Sequence, residues 1–118
     1  MQTNFFSPQS EWLPPKNFPD LSDAKEIAFD LETKDPQLKT RGPGWMTNNG
    51  HIIGVAVAVD GWKGYYPIRH ENGFNFDPGR VLKWTAKILS TDAIKIAHNA
   101  VYDLGWLHAE GIKVNGPI

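Results

Sequence analysis

The order of apolar and polar positions along the chain predicts a run of strands followed by alternating helices and strands. Ile27, Phe29 and Leu31 alternate with Ala28, Asp30 and Glu32, so a first strand with two differently used faces is expected over residues 26–33. Ile52-Ile53-Gly54-Val55-Ala56-Val57-Ala58-Val59 is apolar on both faces, as a central strand is. Asp60-Gly61 marks a turn, and Gly64-Tyr65-Tyr66-Pro67-Ile68 a third strand, with Pro67 placing it at an edge or at its own end. Between the first two strands, residues 35–50 hold two prolines and three glycines and read as a long loop.

Asp77-Pro78 pairs an N-cap acceptor with a proline at the first helical position. The helix it starts runs to Ser90 and carries Val81, Leu82, Trp84, Ile88 and Leu89 on one broad apolar stripe. Lys95-Ile96-Ala97-His98 is a short strand. Asn99 is positioned to cap a second helix ending near Glu110, with Gly111 as its stop. Ile112-Lys113-Val114 opens another extended piece. The expected order is β-β-β-α-β-α-β, an α/β fold whose sheet is unfinished at its last strand. Residues 1–25, with Pro8, Pro14, Pro15 and Pro19, form an extended lead-in that Trp12, Leu13 and Phe18 are expected to pin to the domain.

At 118 residues the chain has room for one modest domain. Hydrophobic residues at 41% and charged residues at 21% set it among ordinary globular proteins rather than disordered ones. The chain has no cysteine, which excludes a disulfide scaffold and any thiolate metal site and fits a reducing compartment. Its longest apolar run, over residues 52–59, is far short of the roughly 20 residues a membrane helix needs. The first residues lack the basic start and apolar core of a secretion signal. A cytoplasmic chain with no membrane partner is expected. A formal net charge of −1 gives no global pull toward nucleic acid, so contact with it must come through metal ions, local Lys or Arg groups and stacking.

Asp30 and Glu32 would share one strand face about 7 Å apart. Two carboxylates on one face are costly when buried unless cations neutralise them, and hard ions such as Mg²⁺ or Mn²⁺ prefer such oxygens. The plainer alternative is a solvated polar face. Asn99, Tyr102, Asp103 and Trp106 fall on one side of the second helix, with Asp103 in the early turns where the helix dipole favours an anion. Here the alternative is a cap, a core tyrosine and a helix-stabilising aspartate. His51, His70, His98 and His108 show no zinc spacing, and His98 reads as a hydrogen-bonded core histidine. Lys34, Lys39 and Arg41 read as solvated loop charges. Gly42-Pro43-Gly44 lacks the ending of a phosphate loop. Trp45, Trp62 and Trp106 could stack bases, although packing is the default role of each.

Taken together, the carboxylate pair on the opening strand and the Asn-x-x-Tyr-Asp helix resemble the first and second exonuclease motifs of the DEDD superfamily. That superfamily has a ribonuclease-H-like mixed sheet and uses two divalent ions to release nucleotides from a 3′ end. The resemblance extends over residues 12–118 and is greatest to the proofreading domain of phage-type family A DNA polymerases. It is carried by Phe29-Asp30-Leu31-Glu32-Thr33, Arg41-Gly42-Pro43-Gly44-Trp45, Ile53-Gly54-Val55-Ala56-Val57-Ala58, Tyr66-Pro67-Ile68-Arg69-His70 and Ala97-His98-Asn99-Ala100-Val101-Tyr102-Asp103-Leu104.

The resemblance implies that residues 26–118 form part of a 3′→5′ exonuclease domain acting in DNA replication. It implies that Asp30, Glu32 and Asp103 are catalytic and bind two Mg²⁺ or Mn²⁺ ions. By the same likeness Asp30 bridges both ions, Glu32 lies near the terminal 3′-hydroxyl, and Asp103 lies on the leaving-group side. Thr33, Asn99 and Tyr102 match positions that handle substrate, here the 3′ end of single-stranded DNA. The third motif of the family, with a fourth carboxylate and a tyrosine, has no counterpart after Asp103. The C-terminal part of the fold is therefore expected to be missing, and activity to need a downstream polymerase or exonuclease segment in the same or a separate chain. If phage-encoded, the protein works in the host cytoplasm. The alternative is a non-catalytic remnant serving as a nucleic-acid or protein interaction module. An RNA-trimming relative is a weaker third reading.

Overall fold

A computed structural model describes residues 13–118. The first strand, β1 (Glu26–Lys34), is joined through two single-turn helices, α1 (Leu38–Arg41) and α2 (Gly44–Thr47), to β2 (His51–Val59). Then follow β3 (Trp62–Pro67), α3 (Pro78–Leu89), β4 (Ile94–Ala97) and α4 (Ala100–Ala109). The strands form one mixed sheet in the order β3-β2-β1-β4. β1 runs antiparallel to β2 and parallel to β4, and β2 runs antiparallel to β3.

One face of the sheet carries the core. Ile27, Phe29 and Leu31 of β1 are buried there beside Val55 and Val57 of β2 and Tyr66 of β3, as the alternation in the sequence predicts. Val81, Trp84, Ile88 and Leu89 of α3 and Trp106 and Leu107 of α4 belong to the same cluster. Helix α3 starts as its sequence requires, with Asp77 Oδ2 accepting from the Arg80 amide at 2.9 Å and Pro78 in its first turn.

The opposite face presents Ala28, Asp30 and Glu32, paired with Ala58, Ala56 and Gly54. At the β4 end of this face Ile94 and Ile96 are 42% and 47% exposed.

A bulge breaks the β1–β2 register between Glu32 and Thr33, so that Glu32 faces Gly54 but Thr33 faces Ile52. Ile53 is left out of the pairing. Its carbonyl instead accepts the amides of Ile68 at 2.9 Å and Arg69 at 3.2 Å. The shift lets Ile52 join Val55 and Val57 in the core, which a run apolar on both faces permits.

Three expectations are corrected. The stretch over 35–50 is not structureless, because it contains α1 and α2. Residues 112–114 form no strand, so the observed order ends at α4. Gly111, at φ +77°, turns the chain back after α4, and the segment beyond it bonds to the end of α3 and to β4 without forming a ladder. The Asn115 amide donates to Leu89 O at 2.8 Å, and Lys95 N donates to Pro117 O at 2.7 Å. Lys95 is fully buried, its ammonium donating to the carbonyls of Thr91, Ala93 and Asn115 at 2.6, 2.7 and 2.6 Å. That clip holds the C-terminal backbone by isolated bonds rather than by a ladder.

The third correction concerns the lead-in. Leu13 is 78% exposed and pins nothing, while Trp12 lies outside the described residues. Phe18 does anchor the segment, stacked on Tyr66 with centroids 5.1 Å apart and packed among Phe76 and Trp84. Tyr66 Oη and Trp84 Nε1 donate to the carbonyls of Asn17 and Pro19 at 2.7 and 2.9 Å. Their polar tips thus find partners on the strand that covers them.

Candidate active site

The carboxyl groups that the sequence singles out reach one region from two elements. Asp30 stands on the open face of β1, and Asp103 comes from the first turn of α4, closed by the Asp103 amide donating to Asn99 O at 3.0 Å. Asp103 is 2% exposed and its Oδ2 is buried without a hydrogen-bond partner. Burial, and then the nearby charge of Asp30, push its carboxyl up to about 7, with the Leu31 amide acting in the opposite sense. Asp30 is itself raised, first by burial and further by Glu32, against the lowering effects of His98 and the Leu31 amide. The nearby Asp30 charge that hinders ionisation of Asp103, and the unpartnered oxygen of Asp103, are features that a bound cation would relieve.

Glu32 is close enough to act on Asp30 but is turned toward β3. The Tyr65 hydroxyl donates to Glu32 Oε2 at 2.6 Å and lies 2.6 Å from His70 Nε2, which is itself 3.9 Å from the Glu32 carboxylate. Gly54 makes this arrangement possible, since a Cβ there would overlap the Tyr65 phenol. Among the described residues no three His, Asp or Glu side chains group closely enough to hold a metal ion. The structure therefore brings Asp30 and Asp103 together and leaves Glu32 beside them in a separate network.

Thr33 and Tyr102 do meet. Tyr102 Oη donates to Asp35 Oδ2 at 2.7 Å, and with its only proton committed there it accepts from Thr33 Oγ1 at 3.0 Å. The Gly44 amide donates to the same Asp35 oxygen at 3.1 Å, and Asp35 Oδ1 is buried without a partner. Asp35 thus ties the α1–α2 segment to α4. Trp45 adds packing, because its indole lies against the bare Cα of Gly105, where a Cβ would overlap the ring.

Asn99 occupies the N-cap position of α4 but makes no side-chain cap bond, at φ −126° and ψ 76°, and its side chain is exposed. His98, expected as a core histidine, is exposed at the end of β4, where its charge acts on Asp30. The loop cations divide. Lys34 pairs with Glu71 at 3.3 Å in the open, and Lys39 and Arg41 are exposed on α1. Trp62 and Trp106 pack in or against the core, and Trp45 packs on α4, so none of the three is displayed as a stacking platform.

Asp35, Tyr65 and His70 were not singled out by sequence reasoning. Only the small Gly54 on the neighbouring strand β2 bears on Tyr65, and Asp35 has no local signal beyond standing before Pro36.

With this geometry in place, comparison with known proteins adds an ancestry. A DNA-directed DNA polymerase of Pseudomonas phage M6 is 38% identical to the chain over 116 residues, covering 92% of this chain and 17% of the polymerase. The chain is related to a phage DNA polymerase. No family model matches the chain. No helix among the described residues is long and apolar enough to cross a membrane.

Proposed function

We propose that this chain supplies part of a polymerase-associated 3′→5′ exonuclease of the DEDD superfamily, with a ribonuclease-H-like sheet, that removes nucleotides from the 3′ end of single-stranded DNA during proofreading. The observation that carries the reading is the pairing of Asp30 with a buried Asp103 whose Oδ2 lacks a partner, in a chain related to a phage DNA polymerase. The mixed sheet with β1 at its centre, flanked by antiparallel β2 and parallel β4, is compatible with that fold.

These residues fit divalent cations. Asp30, Glu32 and Asp103 would hold two Mg²⁺ or Mn²⁺ ions, which when bound would neutralise the carboxylates and stabilise charge on a phosphodiester. The chain's own groups do the rest. Burial of Asp103 strengthens its pull on a cation, since water does not compete for the unpartnered oxygen. Thr33 and Tyr102, locked through Asp35, present a fixed polar edge beside β1 for a terminal nucleotide. Asn99 is exposed with its amide uncommitted to the helix, and so can meet the substrate.

The chain spans 17% of the polymerase it matches. The fourth carboxylate is assigned to a downstream segment in the same or another polypeptide, working in the host cytoplasm. The test is Mg²⁺-dependent release of nucleotides from a 3′-ended single strand, by the chain alone and with the downstream fragment added. Little turnover is expected from the chain alone, and strong turnover from the mixture that Asp103→Asn abolishes. Activity in the mixture that survives Asp103→Asn would rule the assignment out.

One observation favours a second reading, a non-catalytic module that binds nucleic acid or protein. Among the described residues the three carboxylates do not gather around one point. A folded mixture with no activity, yet with single-strand binding, would select it.

A further inference from the structure

The geometry points to Tyr65 and His70 as a bracket that parks Glu32 away from the Asp30–Asp103 pair, so that Glu32 joins a divalent cation there only by leaving the Tyr65 hydroxyl. The inference deepens the proposed function and rests on its assignment of the three carboxylates to a cation.

The bracket is built from elements independent of β1. Tyr65 projects from β3 on the same face as Asp30, because its partner in the register is Ala56 and that of Ala56 is Asp30. Gly54, opposite Glu32, leaves the space that the phenol fills. A tyrosine hydroxyl has one proton, and here it goes to Glu32 Oε2 at 2.6 Å. The contact of 2.6 Å to His70 Nε2 must then be an N–H from the imidazole to the phenol oxygen.

His70 is fixed in turn. Its amide donates to Asn75 Oδ1 at 2.9 Å, and Asn75 Nδ2 donates back to His70 O at 3.0 Å. The two rings meet edge to face, with centroids 5.8 Å apart. The bulged Ile53 carbonyl holds the amides of Ile68 and Arg69 just before it. Every member of the bracket is thus positioned by backbone outside β1, while the Glu32 side chain is 53% exposed and has solvent to turn into once it leaves the Tyr65 hydroxyl.

A bond to an ionised acceptor is among the stronger hydrogen bonds in a protein. It competes with a cation for the same carboxylate, and the competition is relieved when the hydroxyl is removed and the ring retained. Tyr65→Phe does this, since the phenyl still fills the space over Gly54.

The test measures Mn²⁺ binding to the 118-residue chain by calorimetry for wild type, Tyr65→Phe, Glu32→Gln, the double variant and Asp103→Asn. Tyr65→Phe is expected to tighten binding roughly three- to tenfold, the scale of one hydrogen bond to a charged group after water has partly replaced it. Glu32→Gln is expected to weaken binding, and in that background Tyr65→Phe should have no effect. A purely structural role for Tyr65 would not be silenced by Glu32→Gln. If Asp103→Asn leaves binding unchanged, or wild type binds no Mn²⁺, the cation assignment falls and the bracket with it. If Asp103→Asn weakens binding while Tyr65→Phe leaves it unchanged or weaker, the bracket alone is overturned. A second measurement needs no variant: during a Mg²⁺ titration, the ring resonances of Tyr65 and His70 should shift with the midpoint of cation binding. Rings that stay unmoved at saturating Mg²⁺ would equally overturn it.

Discussion

The charge of Asp30 opposes the ionisation of Asp103 across the junction of β1 and α4, and Asp103 is the member that burial has cut off from water. This coupling sets the direction of the chain's pH dependence. The folded-state value of Asp103, about 7, lies above the ordinary carboxylate value near 3.8. The acid form therefore binds its proton more tightly in the folded chain than in the unfolded one. Its contribution to stability is complete below about pH 4 and lost as pH rises through about 7. At pH 8 the ionised group costs up to about 4 kcal/mol, at 1.36 kcal/mol per pKa unit. Wild type should lose thermal stability relative to Asp103→Asn between pH 5 and pH 8. A thermal denaturation series at fixed ionic strength checks this. Added Mg²⁺ should narrow the gap at high pH, and equal pH slopes for both proteins would contradict the coupling.

Lys95 closes the other end of the fold. Its ammonium serves three backbone carbonyls, and among the described residues no carboxylate is bonded to it. Lys95→Met keeps the stem and removes all three bonds, so a loss of about 2–4 kcal/mol is expected in urea denaturation. Amide exchange should rise at Asn115 and Lys95, whose N–H groups bond to Leu89 O and Pro117 O. Unaltered protection at both would show that the segment is held by something else.

The contact between Trp45 and Gly105 leaves no room for a side chain on α4 at that point. Gly105→Ala gains helix propensity but forces the indole off the helix. Overpacking of this kind costs about 1–3 kcal/mol. Limited proteolysis should then cut within residues 38–47 faster than in the wild type. The same pattern of cutting in variant and wild type would mean that the α1–α2 segment does not depend on this contact.

Tyr102→Phe breaks the link from Thr33 to Asp35 and leaves the Asp35 carboxylate with the Gly44 amide as its remaining hydrogen bond. A destabilisation of about 1–2 kcal/mol is expected. On the proposed function, a weaker hold on 3′-terminal oligonucleotides should follow, measured as a KM effect larger than the kcat effect in the mixture with the downstream fragment. A change confined to stability would assign Tyr102 a structural role alone.

Much of this architecture is legible in the sequence where a repeating pattern exists. The period of two in β1, the doubly apolar β2 and the Asp77-Pro78 helix start each reflect forces local to a few residues. Single-turn helices such as α1 and α2 are too short to carry a periodicity, so residues 35–50 read as loop. Ile112 and Val114 look like strand residues, yet the ladder is lost because Leu89 O and the buried Lys95 take the backbone that follows. A lysine in a strand normally points to water, and nothing adjacent to Lys95 announces the three carbonyls that surround it. At the candidate site, the place of Asp30 on a strand and of Asp103 in a first helical turn was legible from the local pattern, whereas their proposed role came only with the resemblance. The Glu32–Tyr65 bond was not, because its partners stand 33 residues apart and meet only through the sheet.

The unpaired Ile53 gives β2 a counting rule. On one side of it Ile52 faces the interior, on the other Val55 and Val57 do, and its own carbonyl steers the stretch that ends at His70. Removing that residue would close the ladder into a regular register with Ile52 still facing inward, but it would withdraw the carbonyl that anchors the amides of Ile68 and Arg69 ahead of the histidine. Natural variation in this strand should therefore accept exchanges among Ile, Val and Leu while keeping the number of residues between His51 and Gly54 fixed.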